Sequence, residues 1–258
     1  MLARRGSKKA LHWGAFFIVW LLAASALADY CSMPGVGQPV LSSYVIDGDT
    51  LDLVDGRRVR LIGINAPEIG RKERVSQPYA QAARKELQRL VQGAELRLLI
   101  GDEMTDKYGR TLGHLFDGQG ANIEAKLLRQ GLGFAVAIAP NLRLVDCHLR
   151  NEQQARSQRE GVWKESPLHS AAQVGAGGFH LVRGRIAKVE RAGKYLWVEL
   201  DGPLVLRLPR DLAGSGASAE WQGQELETRG WIINRRSPQR GHKRYMLPVD
   251  DMRLLVFE

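Results

Sequence analysis

Between residues 40 and 64, apolar and polar positions alternate, with Val45-Ile46, Leu51, Leu53, Val59, Leu61 and Gly63 on the repeating side. A period of two marks half-buried strands, and Asp55-Gly56 supplies a hairpin turn between them. The period then changes. Ala83, Leu87, Leu90 and Val91 share one face of a helix that begins near Pro78 and stops at Gly93. Residues 96–100 and 111–116 read as two further strands, 122–130 as a helix ended by Gly131, and 142–159 as a third helix. Strands, one helix, two strands and two helices form an α+β order. It folds most simply as a small barrel with the helices packed on it.

Residues 166–178 (SPLHSAAQVGAGG) are small, polar and glycine-rich, which predicts a linker. Beyond them the pattern is almost wholly β, with strands expected at 181–189, 195–200, 204–208, 226–233 and 246–249. About 80 residues of short strands predict a second, small all-β domain, barrel-like by its strand spacing. No repeat of fixed period joins the two halves.

Composition narrows the class. With 258 residues, 44% hydrophobic and 25% charged, the chain is neither disordered, nor collagen-like, nor a disulfide-dense miniprotein. Its net charge of +9 points to an anionic partner, but the charge is unevenly placed. Arg4, Arg5, Lys8 and Lys9 precede an apolar run at 13–22 and then Ala26-Leu27-Ala28, the layout of a secretory leader cleaved between Ala28 and Asp29. An uncleaved anchor is the competing reading, but the run is shorter than the ~20 residues a membrane span needs. The division expected is a leader over 1–28, a first domain over 29–165, the linker 166–178 and a β domain over 179–258. The mature protein is then exported, periplasmic or secreted, with no stable membrane insertion. Of its remaining charge, +5, residues 175–258 hold +4.

Export makes the two cysteines informative. An oxidising compartment favours a bridge between Cys31 and Cys147, against the alternative of two buried thiols. His148, beside Cys147, lacks the partners of a zinc motif, and His114 in its apolar stretch reads as an interior residue.

Three stretches of the first domain concentrate candidate chemistry: Ile46-Asp47-Gly48-Asp49-Thr50, then Arg60-Leu61-Ile62-Gly63-Ile64-Asn65-Ala66-Pro67-Glu68, then Thr105-Asp106-Lys107-Tyr108-Gly109-Arg110. Asp49, Asn65 and a nearby backbone carbonyl are hard oxygen donors that suit Ca²⁺. Two arginines can grip phosphate oxygens and stabilise charge that builds during transfer. A carboxylate such as Glu68 can orient or deprotonate a water. Together they suffice for phosphodiester hydrolysis.

In this order, and followed by Arg129-Gln130-Gly131-Leu132, the stretches closely resemble the staphylococcal nuclease family over residues 41–163. The resemblance implies an OB-type five-stranded β-barrel with three helices. It also implies Ca²⁺-dependent cleavage of DNA and RNA to 3′-phosphates and 5′-hydroxyls. By motif position, Asp49, Asn65 and the Ala66 carbonyl would hold Ca²⁺, Arg60 and Arg110 would be the phosphate-binding catalytic arginines, and Glu68 the general base or water-positioning group. Lys107 and Tyr108 would touch substrate. Two departures stand out. Asn65 occupies a position that is usually Asp, and Phe134-Ala135-Val136-Ala137-Ile138-Ala139-Pro140 lacks the tyrosines that the family can set against the nucleotide.

In the second domain the densest basic run holds Arg235, Arg236, Arg240, Lys243 and Arg244, assigned to substrate binding. Trp197, Trp221, Trp231, Phe179 and Tyr245 are candidate stacking platforms, with core tryptophans as the alternative. The leading reading is an exported, low-specificity nuclease acting as a monomer on DNA or RNA, with no protein partner inferred. The competing readings are a catalytically silent nucleic-acid-binding protein on the nuclease fold, and a second domain that attaches to the cell envelope.

Overall fold

A computed structural model describes residues 30–70, 72, 74–212, 220–236 and 242–258. The leader expected over 1–28 and Arg240 lie outside the described residues. The first alternating run forms β1 (Gln38–Val40) and β2 (Ser42–Val45), one bent strand broken at Leu41. β2 pairs antiparallel with β3 (Thr50–Leu53), and β3 pairs across the Asp55-Gly56 turn with β4 (Arg58–Leu61). After the short β5 (Ile64–Asn65) and helix α1 (Ala80–Val91) come β6 (Leu96–Thr105) and β7 (Thr111–Asp117). β7 runs parallel to β4 and antiparallel to β6, and β6 returns to β1. Because β1 continues into β2, the ring closes as a five-stranded barrel of OB type.

The strand expected at 96–100 runs on to Thr105. Its second half is exposed and polar, so no apolar alternation announced it. Helix α1 buries Ala83, Leu87 and Val91 against the barrel residues Leu51, Leu61 and Ile64, as its helical spacing predicts. Then come α2 (Ile123–Arg129), the short β8 (Phe134–Ala135) and α3 (Val145–Gln158). The Asn122 side chain caps α2 by accepting from the Ala125 amide at 2.9 Å. Cys31 and Cys147 form a disulfide, with 5.7 Å between their Cα atoms, that ties the start of the domain to α3.

The segment read as a linker is built into the second domain. It carries β9 (Leu168–Ser170), parallel to β10 (Gly178–Ala192), and it buries Ala171 and Val174 in that domain's core. β11 (Tyr195–Leu200), β12 (Leu204–Pro209), β13 (Glu225–Asn234) and β14 (Tyr245–Pro248) follow, with β15 (Val256–Phe257) at the edge of β13. β10 is long enough to pair with β13 through its first half and with β11 through its second, bending at a register shift near Ile186. β12 joins β11 to β14, and β14 joins β13, so this sheet also closes. In each barrel the third strand runs parallel to the fifth, and the cyclic order is first, second, third, fifth, fourth. Two OB-type barrels therefore follow one another in a single chain.

Helix α3 is the seam between them. Arg156 pairs with Glu227 through two bonds of 2.6 and 2.7 Å, and the buried Arg229 of β13 pairs with the buried Glu152 at 2.5 Å. Leu254 packs with Ala137 and Val145, and Leu181 with Ala155 and Trp163. No helix among the described residues is long and apolar enough to cross a membrane.

Candidate active site

The turn between β2 and β3 is closed by amides of Ile46 and Asp47 donating to the Thr50 carbonyl at 2.9 and 3.3 Å. Gly48 sits so close to α1 and to Ala66 that a Cβ there would lie 2.5 Å from the Ala83 Cβ and 2.7 Å from that of Ala66. Only glycine allows the turn to press Asp49 inward, where it is 6% exposed. The hairpin register places Thr50 opposite Arg60, so Asp49 lies beside the arginine. Arg60 Nη2 is 3.1 Å from Asp49 Oδ2, while its Nη1 donates to the carbonyls of Leu61 and Ile64 at 2.5 and 2.9 Å. The Ala66 amide donates to Asp49 Oδ2 at 2.8 Å and the Thr50 hydroxyl to Oδ1 at 2.9 Å.

Burial pushes the Asp49 carboxyl up to about 6, although Arg60 opposes it; Asp47 adds repulsion, and the Ala66 amide and Thr50 hydroxyl help to stabilise the charge. One guanidinium thus leaves this carboxylate short of positive charge. Asn65, buried at the end of β5, directly precedes Ala66, so the other two expected oxygen donors come from the stretch whose Ala66 amide holds Asp49. That chemistry fits a divalent cation that prefers oxygen, with Asp49 as its only charged ligand among these three.

Arg110 comes from the turn between β6 and β7. Gly109, at φ +78°, permits the tight return that lets Asp106 Oδ1 accept from the amides of Tyr108 and Arg110 at 2.9 and 3.0 Å. Asp106 Oδ2 takes the Arg110 guanidinium at 2.7 Å. Burial works against the Asp106 charge, but the Arg110 side chain and these amides outweigh it and hold the pKa below the usual carboxylate range. β7 runs parallel to β4 with Leu112 opposite Arg60, so Arg110, in the turn just before β7, stands two residues before the partner of Arg60. Tyr108 is 73% exposed, with the Lys107 ammonium 5.0 Å and the Arg110 guanidinium 5.7 Å from its ring. Glu68 is exposed just after the Pro67 turn. Its amide donates to Gln77 Oε1 at 2.8 Å and its carbonyl accepts from the Gln77 amide at 2.9 Å, leaving the carboxylate without an ion pair among the described residues.

The structure brings Arg60 and the Ala66 amide to Asp49, with Asn65 next to Ala66 in the chain and Arg110 in the turn before the neighbouring strand β7. The basic run of the second domain behaves differently. The Arg235 guanidinium donates to the Lys243 carbonyl, and the Lys243 ammonium to the Gly202 carbonyl at 2.6 Å. Arg244 donates to Asn234 Oδ1 at 3.1 Å and stacks on Tyr245. Arg235 and Arg244 bond within their own loop and Lys243 ties it to the β11–β12 turn; Arg244, like Arg236, is exposed.

Sequence reasoning missed the support behind the site. His114, Glu124 and His148 are buried with their ligand atoms within 4.8 Å of one another. Most of their capacity is used: Glu124 accepts from His114, from the Leu115 amide and from Asn122, and His148 Nε2 donates to Asn122, while the buried His148 Nδ1 has no hydrogen-bond partner among the described residues. Burial, then the neighbouring His114, push the His148 pKa well below normal, so it is neutral. His148 lies against Gly63, where a Cβ would be 2.2 Å from its Nδ1, and so backs the turn that leads into Asn65. Gln77 was missed for the same reason: its role depends on a contact nine residues away that carries no periodic signal.

Residues 58–165 match the family model described as staphylococcal nuclease homologue. The chain is similar to Endonuclease YncB of Bacillus subtilis (strain 168), 33% identical over 127 residues, which cover 47% of this chain and 59% of that protein. It is also similar to the Thermonuclease of Staphylococcus intermedius, 33% identical over 131 residues, covering 50% of this chain and 77% of the relative. Protein ParB of Escherichia coli is 36% identical over 133 residues, covering 47% and 70%. All three matches leave about half of this chain uncovered, and the chain spans under two thirds of the first relative's length.

Proposed function

Because the chain belongs to the staphylococcal nuclease family, we propose that it is an exported, Ca²⁺-dependent nuclease that hydrolyses DNA and RNA with little sequence preference. The observation that carries this reading is the buried Asp49 carboxylate, held beside Arg60 and the Ala66 backbone at one turn. Asp49, the Asn65 amide oxygen and the Ala66 carbonyl would hold Ca²⁺, which when bound supplies positive charge to a phosphoryl oxygen.

The chain's own groups account for the rest. Arg60 and Arg110 donate to the non-bridging oxygens of the scissile phosphate, which gather charge as a fifth oxygen approaches phosphorus. Arg60 is pre-positioned by the Leu61 and Ile64 carbonyls, and Arg110 by Asp106. Glu68, exposed and without an ion pair among the described residues, orients a water or takes its proton as the water oxygen attacks. The 5′-oxygen leaves, giving a 3′-phosphate and a 5′-hydroxyl.

Export is supported by the basic, apolar and small-residue order of the first 28 residues, and by the Cys31–Cys147 disulfide. The deciding experiment is digestion of single-stranded DNA, duplex DNA and RNA by the purified mature protein, with Ca²⁺ or with chelator. Cleavage that needs Ca²⁺ and ends in 3′-phosphates is expected. Failure to cut any of the three with Ca²⁺ present overturns the reading.

A further inference from the structure

The outward face of β11 and β12 differs from the rest of the second barrel. Leu196, Val198 and Leu200 of β11 are buried in the core, which turns Tyr195 and Trp197 to the outside, both half-buried. Their rings meet edge to face with centroids 6.0 Å apart. Arg207 stands opposite Trp197 in β12 and sets its guanidinium 4.8 Å from the Tyr195 ring centroid, and the Lys194 ammonium lies 5.4 Å from the same ring. Two carboxylates on the surface have cations of their own: Glu190 pairs with Lys188 at 2.5 Å, and Lys243 is 3.8 Å from Glu199. A third, Asp250, has its pKa raised by burial, and Arg207 opposes that rise from beyond ion-pair distance. Among the described residues, neither Lys194 nor Arg207 has a carboxylate within ion-pair distance.

The other aromatic candidates are committed elsewhere. Tyr245 is buried and donates its hydroxyl to the Gly175 carbonyl at 2.5 Å. Trp221 packs on Phe257, and Trp231, though 38% exposed, lies off this face on β13 and meets Phe179, which in turn meets Phe134 of the first domain. In the cyclic order of this barrel, β11 and β12 are the second and third strands. They are flanked by the Gly193-Lys194 turn and by the basic loop between β13 and β14. In OB-type barrels this face and these two loops are where oligomeric ligands lie. The described end of that loop does reach this part of the barrel, since the Lys243 ammonium lies 3.8 Å from the Glu199 carboxylate of β11.

We propose that this face is a subsite for single-stranded nucleic acid, in which bases stack on Tyr195 and Trp197 while Lys194 and Arg207 take the adjoining phosphates. The choice of ligand rests on the nuclease reading. The physical argument is that two partly open rings beside two cations, neither ion-paired among the described residues, match the alternation of base and phosphate along one strand. A duplex keeps its bases stacked inside and offers the rings nothing. The subsite restores, on the second barrel, the aromatic contacts that the segment 134–140 lacks.

The test uses the mature full-length chain in chelator, so that nothing is cut, and a fluorescein-labelled oligonucleotide of about 15 nucleotides read by anisotropy. Tyr195→Leu with Trp197→Leu is expected to weaken binding by about tenfold to several hundredfold, the range for one or two lost stacks. Trp197→Phe, which keeps a ring, is expected to retain most of the affinity and guards against a folding defect. Arg207→Ala should flatten the salt dependence of binding by about one phosphate contact. Unaltered single-strand binding in the double leucine variant overturns the proposal. So does equal loss of affinity in Trp197→Phe and Trp197→Leu. Oligonucleotide binding that responds to these variants in a protein that never cuts supports the subsite and sinks only the nuclease reading.

Discussion

Asn65 is uncharged at a position where a second carboxylate would add its charge to that of Asp49. Calcium sites gain affinity with each ligand charge, so Asn65→Asp is expected to tighten Ca²⁺ binding by about tenfold or more in calorimetry. An unchanged affinity would show that Asn65 is not a ligand. Glu68 offers a cleaner separation of chemistry from folding. Its carboxylate is exposed and makes no ion pair among the described residues, so Glu68→Gln should leave the melting temperature almost unchanged. If Glu68 handles the water, kcat should fall by about 10²–10⁴-fold. A fall of less than threefold, measured with saturating Ca²⁺, would remove it from the mechanism. These residues were legible because each lies in a short contiguous motif. The orientation of Arg60 was not, since three of its partners are carbonyls and a carboxylate that only the closed turn brings to it.

Among the elements, strands and helices with regular apolar spacing were readable: β3, β4, α1, β11 and β12 run close to where the pattern put them. The continuation of β6 was not, because it is exposed and polar, and the short β5, β8 and β9 were not, because backbone pairing with another segment rather than a periodic face holds them. Helix α3 shows how one element collects several roles. Cys147 staples it to Cys31, His148 backs Gly63, and Glu152 accepts from the Ala135 amide at 2.7 Å while it receives Arg229. The disulfide closes a loop of 116 residues, for which chain-entropy models give ~4–5 kcal/mol. Reduction, or replacement of both cysteines by serine, should therefore lower the thermal midpoint by many degrees. A reduced protein that melts where the oxidised one does would contradict this.

At the scale of the whole molecule, the two barrels are joined by buried charges. Removing one member of such a pair strands the other, so Arg229→Ala should cost about 3–5 kcal/mol and uncouple the melting of the two barrels. A single unfolding transition at the original midpoint would show that the apolar contacts of Leu254 and Leu181 suffice alone. The pH dependence follows from Glu227. Burial raises its pKa, but the Arg156 hydrogen bonds, with Arg229 and Arg183 nearby, win and hold it below the ordinary glutamate value. A carboxylate held low in the folded state contributes its full stabilisation above the unfolded pKa. It loses that contribution as pH falls through the folded value. Coupling between the barrels, read by calorimetry, should hold from pH 7 to about 5 and weaken below about 4. Coupling that weakens as pH rises from 5 to 7 would reverse the sign and the assignment.

Local rules carried the sequence a long way. Alternation marked the strands, helical spacing marked α1, and the contiguous motifs picked out Asp49, Arg60, Asn65, Glu68 and Arg110, because each signal is confined to neighbours in the chain. The uneven charge, +4 of it in residues 175–258, was equally plain. Its use was not. Arg235 and Lys243 donate to backbone carbonyls, Arg244 donates to Asn234 at the surface, and Arg229 is buried against Glu152. Tyr195, Trp197, Lys194 and Arg207 meet on an open face. Composition counts a cation wherever it stands. Whether that cation is spent on the fold or left for a ligand depends on partners distant in sequence, and closure of the second barrel brings them together.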